Sequence, residues 1–198
     1  THSVLIETAK ISSRWLEVNL SQNAEINFRG ELLSSNVTLT VAADLSGEHW
    51  MNATGVLQGE ATLSRGTNRF PDTTFRLTGV GLNIQEVEMD QLDLQGELDW
   101  PALRIHSAHV QFKDGAVADA SLQFNAITHQ VSEGKLRLDG SIGHKFLPPE
   151  ISYKHISLTG EFFGPLEKLS HSGHVELQGA KFPDLTPLGM VAEWRGRW

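Results

Sequence analysis

The sequence predicts an all-β protein built around one repetitive sheet, and two observations support this prediction. Apolar residues occupy every second position of many short segments, which is the period of a strand with one dry and one wet face. Many of these segments also end with a glycine that continues the alternation, two residues after the last apolar residue. The phrase apolar-x-apolar-x-Gly recurs at residues 26–30, 75–79, 92–96, 136–140, 156–160 and 175–179. Spacings of 17 to 20 residues separate Gly140, Gly160, Gly179 and Gly196, so each repeat holds about one hairpin.

Composition narrows the class of partner. The 198 residues carry a net charge of −8 with a pI near 5.5, which argues against nucleic acid, because phosphate binding needs a basic surface. There is no cysteine, so disulfides and thiolate metal sites are excluded. No apolar run approaches the roughly 18 residues of a membrane-spanning helix. We expect residues 1–198 to form a single repetitive β domain of a longer protein, because the chain opens on Thr1 without methionine and ends within an expected strand.

The first part of the chain, residues 1–24, is the least regular. Alternation at Val4, Ile6 and again at residues 16–20 predicts strands, although Ile11, Trp15 and Val18 also fit one stripe of a helix. Cleaner alternation from residue 26 to residue 45 predicts two strands joined by a turn at residues 34–36, whose polar side chains can bond their own backbone. Residues 47–66 predict two short strands, and residues 68–72 predict a loop because Pro71 interrupts a sheet ladder.

The remaining elements alternate strand and turn. Between residues 75 and 89 the phase of the apolar residues flips, which predicts a bulge or tight turn at Gly79 and Gly81. A strand from residue 92 should stop at Pro101, and the next should turn at residues 113–115, which have the sequence of a hairpin. Further turns are predicted at residues 132–134, 148–149 and 164–166, and residues 181–189 predict a loop. No segment predicts a helix longer than about three turns.

Several motifs that would indicate chemistry are weak or missing. His106 and His109, like His171 and His174, are spaced for a helix, but in strands this spacing predicts side chains on opposite faces. Glu86, Glu88 and Asp90 alternate with apolar residues, which predicts one solvated face. The sequence contains no nucleophile elbow, phosphate loop or dinucleotide fingerprint. We therefore expect no enzymatic activity, no metal and no cofactor.

We expect ten residues on the face of the sheet that is shielded from water, which we call the dry face. All ten have large apolar side chains at alternating positions of the predicted strands. In a two-sheet sandwich such faces cover each other, whereas a stacked repeat buries its face only against its neighbours. Trp194 and Trp198, close to the end of the chain, fit core packing or a lipid interface. The expected dry-face set is Phe28, Leu39, Leu77, Leu94, Phe112, Phe124, Leu138, Leu158, Phe162 and Leu177.

The segment Leu158-Thr-Gly-Glu-Phe-Phe-Gly-Pro-Leu166, followed by Leu177-Gln-Gly179, resembles the repeats of the TamB and AsmA-like envelope proteins of Gram-negative bacteria. The resemblance covers most of the chain from about residue 25. It implies an elongated, bent antiparallel sheet folded into an open apolar groove, the shape called a β-taco. It also implies a location in the periplasm, with an inner-membrane helix outside this sequence.

The activity that the resemblance implies is passage of phospholipid, or of another acyl-chain lipid, between the inner and outer membranes. Help in assembling outer-membrane β-barrel proteins is the other role implied, with such a barrel as partner. Two alternatives stay open on the residues alone. One is a β-sandwich or a structural or adhesive β-solenoid with a self-filled core, and the other is a carbohydrate hydrolase, which needs two convergent carboxylates.

Overall fold

The computed structural model describes residues 2–47, 52–66, 70–84, 87–141, 152–182 and 186–197. These residues form an all-β structure in which the helical elements are two single 3-10 turns, Leu45–Gly47 and Leu166–Lys168. The strands are β1 Ser3–Ile6, β2 Lys10–Ser12, β3 Leu16–Leu20, β4 Ala24–Asn27, β5 Asn36–Asp44, β6 Ala53–Ser64, β7 Asp72–Ile84, β8 Val87–Asp99, β9 Ala102–Phe112, β10 Val117–Asn125, β11 Gln130–Gly140, β12 His155–Pro165, β13 Ser170–Ala180 and β14 Leu188–Arg197.

Twelve of these strands form one antiparallel sheet that follows chain order from β2 to β14, with β3 pairing directly with β5. The sheet is not closed, so β2 and β14 are its two edges. The remaining strands, β1 and β4, pair with each other as a separate two-stranded sheet. The expectation of an all-β, repetitive antiparallel sheet is confirmed.

The N-terminal segment is extended throughout its described residues. Ile11 pairs with Val18, and Val18 pairs with Val41, so these residues lie in strands and the helical alternative is wrong. Cross-strand hydrogen bonding explains why strands form here instead of a helix. As strands, β2 and β3 pair with each other and β3 pairs with β5, whereas a helix would leave the edge of β5 unpaired. Ser13 closes the intervening turn by accepting from the backbone N–H of Leu16 at 3.1 Å.

Two element boundaries differ from the sequence prediction. Residues 53–64 form one continuous strand, β6, where two short strands were predicted; residues 48–51 lie outside the described part. The turn predicted at residues 132–134 lies instead at residues 126–129, and Gly134 is inside β11. Asn125 stabilises this turn, because its Oδ1 accepts hydrogen bonds from the backbone N–H groups of Ile127 and Thr128 at 3.0 and 2.9 Å.

Glycines allow the other irregularities. Gly81 has φ +61° beside a register shift between β6 and β7, where Thr54 pairs with Asn83 but Val56 pairs with Val80, and this irregularity accounts for the predicted change of phase. Gly115 has φ +87° in the predicted turn after β9, where its N–H donates to the carbonyl of Phe112 at 3.0 Å. The predicted breaks around Pro71 and Pro101 also lie between strands. The break expected at residues 148–149 falls outside the described residues.

The core is small for a chain of this length. Ten apolar residues are fully buried among those described, and six of them are alanine. The main cluster, Leu45, Ala53 and Leu82, lies at one end of strands β5 to β8. The accessible surface is 13003 Å², compared with about 9,300 Å² for a compact monomer of this mass. Most of the apolar surface of the sheet is therefore not covered by a second layer.

Candidate functional site

The candidate site is the apolar face of the twelve-stranded sheet. Directly paired residues of neighbouring strands lie on the same face of a sheet. The pairing therefore defines a single row that crosses all twelve strands and contains only apolar residues and glycine. In strand order the row is Ile11, Val18, Val41, Gly59, Leu77, Leu94, Ala108, Ala120, Leu136, Gly160, Gly173 and Trp194.

A second row, one residue away from the first in each strand, lies on the opposite face. It crosses the same twelve strands and is polar at every position except Ala42. Its members are Ser12, Glu17, Ala42, Gln58, Thr78, Asp93, His109, Asp119, Arg137, Thr159, His174 and Glu193. The sheet is therefore amphipathic from one edge to the other. We call its two sides the apolar face and the polar face.

Nine of the ten residues expected on the dry face lie on this apolar face. Leu77 pairs directly with Leu94, and Leu138 pairs directly with Leu158. The others follow from the register: Leu39 pairs with Ala61, Phe112 with Met89, Phe124 with Val131, Phe162 with Gly134 and Leu177 with Ile156. All nine are half-buried, so each keeps part of its apolar surface in contact with solvent. Contact with lipid stays a prediction for them.

Phe28 is the exception, and its placement corrects the sequence analysis. It is 75% exposed in a turn that follows β4, away from the twelve-stranded sheet, where its ring meets that of His2 at 6.2 Å. Asn27 stops the strand, because its Oδ1 accepts from the backbone N–H groups of Arg29 and Glu31 at 2.8 and 3.0 Å. Gly30 has φ +79° in this turn, so segment 26–30 is not a copy of the strand repeat.

Three strand glycines of the apolar face lie beneath aromatic side chains of neighbouring strands. A Cβ at Gly134 would stand 2.1 Å from the ring of its partner Phe162, and one at Gly173 would stand 2.2 Å from the indole of its partner Trp194. Gly96 is covered in the same way by the ring of Phe75. At these three positions the absence of a side chain leaves room for a bulky ring of the neighbouring strand.

The polar face holds short cross-strand ion pairs. Arg104 hydrogen-bonds to Glu97 and lowers the pKa of that carboxyl, and His106 adds to the effect. Lys113 donates to Glu88 at 2.6 Å, and this bond raises the pKa of the lysine. These pairs are solvent-exposed, so each contributes little to stability, but together they keep this face charged and wetted.

Two pairs of histidines differ in placement. His171 and His174 lie on opposite faces as predicted, because His171 covers Gly196 while His174 belongs to the polar row. The same prediction is wrong for His106 and His109. His106 is the extra residue of a bulge between β8 and β9, so both side chains reach carboxylates of the polar face: Glu97 at 3.5 Å and Asp119 at 2.8 Å. Within the part of the chain that the structure describes, no three histidine, aspartate or glutamate side chains converge as metal ligands.

An open depression of about 920 Å³ spans strands β9 to β14. Three consecutive residues of each strand line it, and in β11 these are Lys135, Leu136 and Arg137. In each strand one of the three is the member of the apolar row, from Ala108 in β9 to Trp194 in β14, and the other two are polar. None of the ten expected dry-face residues lines it.

Sequence reasoning missed the small members of the apolar row. Ala108 and Ala120 carry too little apolar surface to stand out, and the bulge at His106 hides the alternation of β9. Trp194 was detectable from its alternation with Glu193 and Arg195 in the last strand. It is half-buried, with its indole over Gly173, so it belongs to the apolar face.

Comparisons of the chain with known proteins found no similar protein. No family model matches the chain, and neither a curated protein nor a solved structure shows significant similarity to it. In the described ranges there is also no helix with the length and apolar character needed to cross a membrane.

Proposed function

We propose that this chain is a non-enzymatic lipid-conducting module whose apolar face carries the acyl chains of phospholipid. In this proposal the sheet bends into an open groove of the TamB and AsmA-like type, in the periplasm, and lipid passes along it between the inner and outer membranes. The observation that supports the proposal best is the uncovered apolar row that crosses twelve strands without a polar interruption.

The dimensions and energies fit such a role. With neighbouring strands about 4.8 Å apart, a row of this kind runs for about 50 Å. Half of a bilayer's hydrocarbon core measures only about 15 Å, so more than one acyl chain fits along the row. Each methylene withdrawn from water contributes about 0.8 kcal/mol, so moving one phospholipid chain through water costs on the order of 10 kcal/mol. A continuous apolar surface removes most of that cost without any chemical step.

The sheet supplies a matched pair of positions for testing this proposal. Leu77 and Thr78 are neighbours in β7, but Leu77 lies on the apolar face and Thr78 on the polar face. We expect Leu77→Lys to lower the amount of phospholipid that co-purifies with the chain severalfold, because a charge in the apolar row must be kept hydrated. Thr78→Lys should leave it unchanged. Lipid is measured by native mass spectrometry.

Circular dichroism provides the control for folding, since both variants must retain the strand spectrum of the unmodified protein. Equal lipid content in the two folded variants would contradict the proposal. So would an unmodified protein that carries no lipid after expression in a Gram-negative host.

One observation favours the second role, assistance in the assembly of outer-membrane β-barrels. Strand β14 is a ten-residue edge strand that is exposed along most of its length, and such an edge can accept a further strand. We expect Val191→Lys with Ala192→Lys to abolish co-purification of a barrel protein, since edge lysines block strand addition. Unchanged recovery of the barrel would argue against strand addition at this edge.

A further inference from the structure

A second depression, of about 700 Å³, lies where the turn after β4 meets the end of β6. Ile26, Leu32, Leu63 and Phe70 supply its apolar lining. Ile26 and Leu32 also form an isolated antiparallel bridge, which fixes the turn between them. This depression is therefore built by backbone pairing on one side and by the sheet on the other.

The depression is continuous with the apolar face. Leu63 pairs directly with Val37 and Thr73, and it stands two residues from Ala61, the partner of Leu39. Leu63 is therefore a member of the apolar face, at the end of β6, and its side chain is half-buried. An acyl chain that lies on the face near Leu39 would therefore have the end that bears the headgroup at this depression.

Two arginines make the other part of the lining cationic. Arg29 and Arg65 both line the depression, and both are exposed. Within the described ranges neither arginine forms an ion pair. Among the described residues of the lining Glu31 is the one carboxylate, and its Oε2 accepts a hydrogen bond from Asn27 at 2.6 Å. The described part of the lining thus carries one excess positive charge beside an apolar surface.

The position of Arg29 is held by the turn itself. The backbone N–H of Arg29 donates to Asn27 Oδ1 at 2.8 Å, and the N–H of Gly30 donates to the Asn27 carbonyl at 2.9 Å. Arg65 directly follows Ser64, the last residue of β6. Both arginines therefore stand next to hydrogen-bonded backbone, and guanidinium binds phosphate and carboxylate groups in a planar, bidentate geometry.

We propose that this depression is a headgroup site for an anionic amphiphile. The phosphate or carboxylate of the headgroup binds Arg29 and Arg65, and the acyl chain runs from Leu63 onto the apolar face. This inference rests on the proposed function for the course of the chain, and it adds the class of lipid: one with a net negative headgroup.

The test uses three probes that separate headgroup from chain. Palmitoyl lysophosphatidic acid carries both, monopalmitoylglycerol carries the chain without the phosphate, and glycerol phosphate carries the phosphate without the chain. We expect the unmodified protein to bind lysophosphatidic acid at least roughly tenfold more tightly than monopalmitoylglycerol, as hydrogen bonds to a charged group imply. Glycerol phosphate should bind weakly. Binding is measured by isothermal titration calorimetry below the micellar concentration.

The variant Arg29→Gln with Arg65→Gln should lose this preference and leave the affinity for monopalmitoylglycerol unchanged. Arg76→Gln is the matched control, because Arg76 pairs with Glu60 and Gln95 on the polar face and does not line the depression. Circular dichroism confirms that each variant folds.

The outcomes distinguish the two proposals. An undiminished preference in the double variant overturns the headgroup site, while binding of monopalmitoylglycerol still supports an acyl-binding face. Equal affinity for glycerol phosphate and lysophosphatidic acid identifies a site for free phosphate and also overturns the amphiphile. Failure of both palmitoyl probes to bind contradicts the proposed function together with the site.

Discussion

At the scale of single residues, the apolar face depends on pairing glycine with a large ring. Trp194 lies over Gly173, Phe162 over Gly134 and Phe75 over Gly96, in each case across one strand boundary. A glycine in a strand interior normally weakens the strand. Here it allows an aromatic side chain to lie flat, so the ring covers backbone that no second layer covers. Because the ring occupies the space above the glycine, it projects less from the face than it would above a larger residue.

This packing predicts a difference between two neighbouring glycines. A Cβ at Gly134 would stand 2.1 Å from the Phe162 ring, whereas one at Gly160 would stand 3.5 Å from the Trp194 indole, an ordinary contact. We expect Gly134→Ala to lower the free energy of unfolding by about 1–3 kcal/mol, as overpacking does. Gly160→Ala should change it little. Urea denaturation followed by circular dichroism measures both.

A double-mutant cycle isolates the cause. Phe162→Leu makes room above residue 134, so the cost of Gly134→Ala should shrink in that background. An equal cost in both backgrounds, or equal effects at Gly134 and Gly160, would contradict the account of ring over glycine.

At the scale of elements, local side-chain bonds decide where strands end. Asn27 ends β4 and Asn125 ends β10, in both cases by accepting backbone N–H groups two or more residues ahead. The bulge at His106 is a different device, since it adds a residue without ending β9. It moves His106 to the polar face, where it meets Glu97. Turns and bulges therefore set which residues belong to each face.

Asn125 offers a test of this control. Asn125→Ala removes the acceptor for Ile127 and Thr128, and we expect the free energy of unfolding to fall by about 1 kcal/mol. Asn125→Asp retains an acceptor oxygen at the same place and should recover most of this loss. Thermal and urea denaturation report the difference. An alanine variant as stable as the unmodified protein would show that the turn does not depend on this side chain.

The sequence predicts most strands because each has one wet and one dry side, which leaves a clear alternation at residues such as Leu92, Leu94 and Leu98. The prediction fails where a single residue ends a strand or shifts the alternation of apolar and polar positions. The glycine of Ser132-Glu-Gly134 suggests a turn, yet Gly134 is a strand residue beneath Phe162, a partner about 28 residues away in the sequence. Phe28 has the right phase, but Asn27 ends the strand before it. Depressions formed between distant segments, such as that beside Arg29 and Arg65, leave no local pattern.

At the scale of the whole molecule, much of the apolar side of the sheet is uncovered in the described structure, although Val37 and Val131 on that side are buried. Ten buried apolar residues, six of them alanine, make a small core for a chain of 198 residues, and nine large residues of the apolar face are only half-buried. Uncovered apolar surfaces of this kind commonly mark interaction sites, and this is the basis of the proposal that the apolar face carries lipid. The polar face opposite, with its alternating charges, explains how such a sheet is kept in solution.

Photolabelling with a diazirine-bearing palmitate tests this central claim most directly. After irradiation, peptide mass spectrometry assigns each labelled residue to one of the two faces. We predict labels on the apolar row in several strands, at positions such as Val41, Leu94 and Leu136, and none at the neighbouring polar positions Gln58, Asp93 and Arg137. Labels spread equally over both faces, or an unlabelled apolar row, would contradict the account.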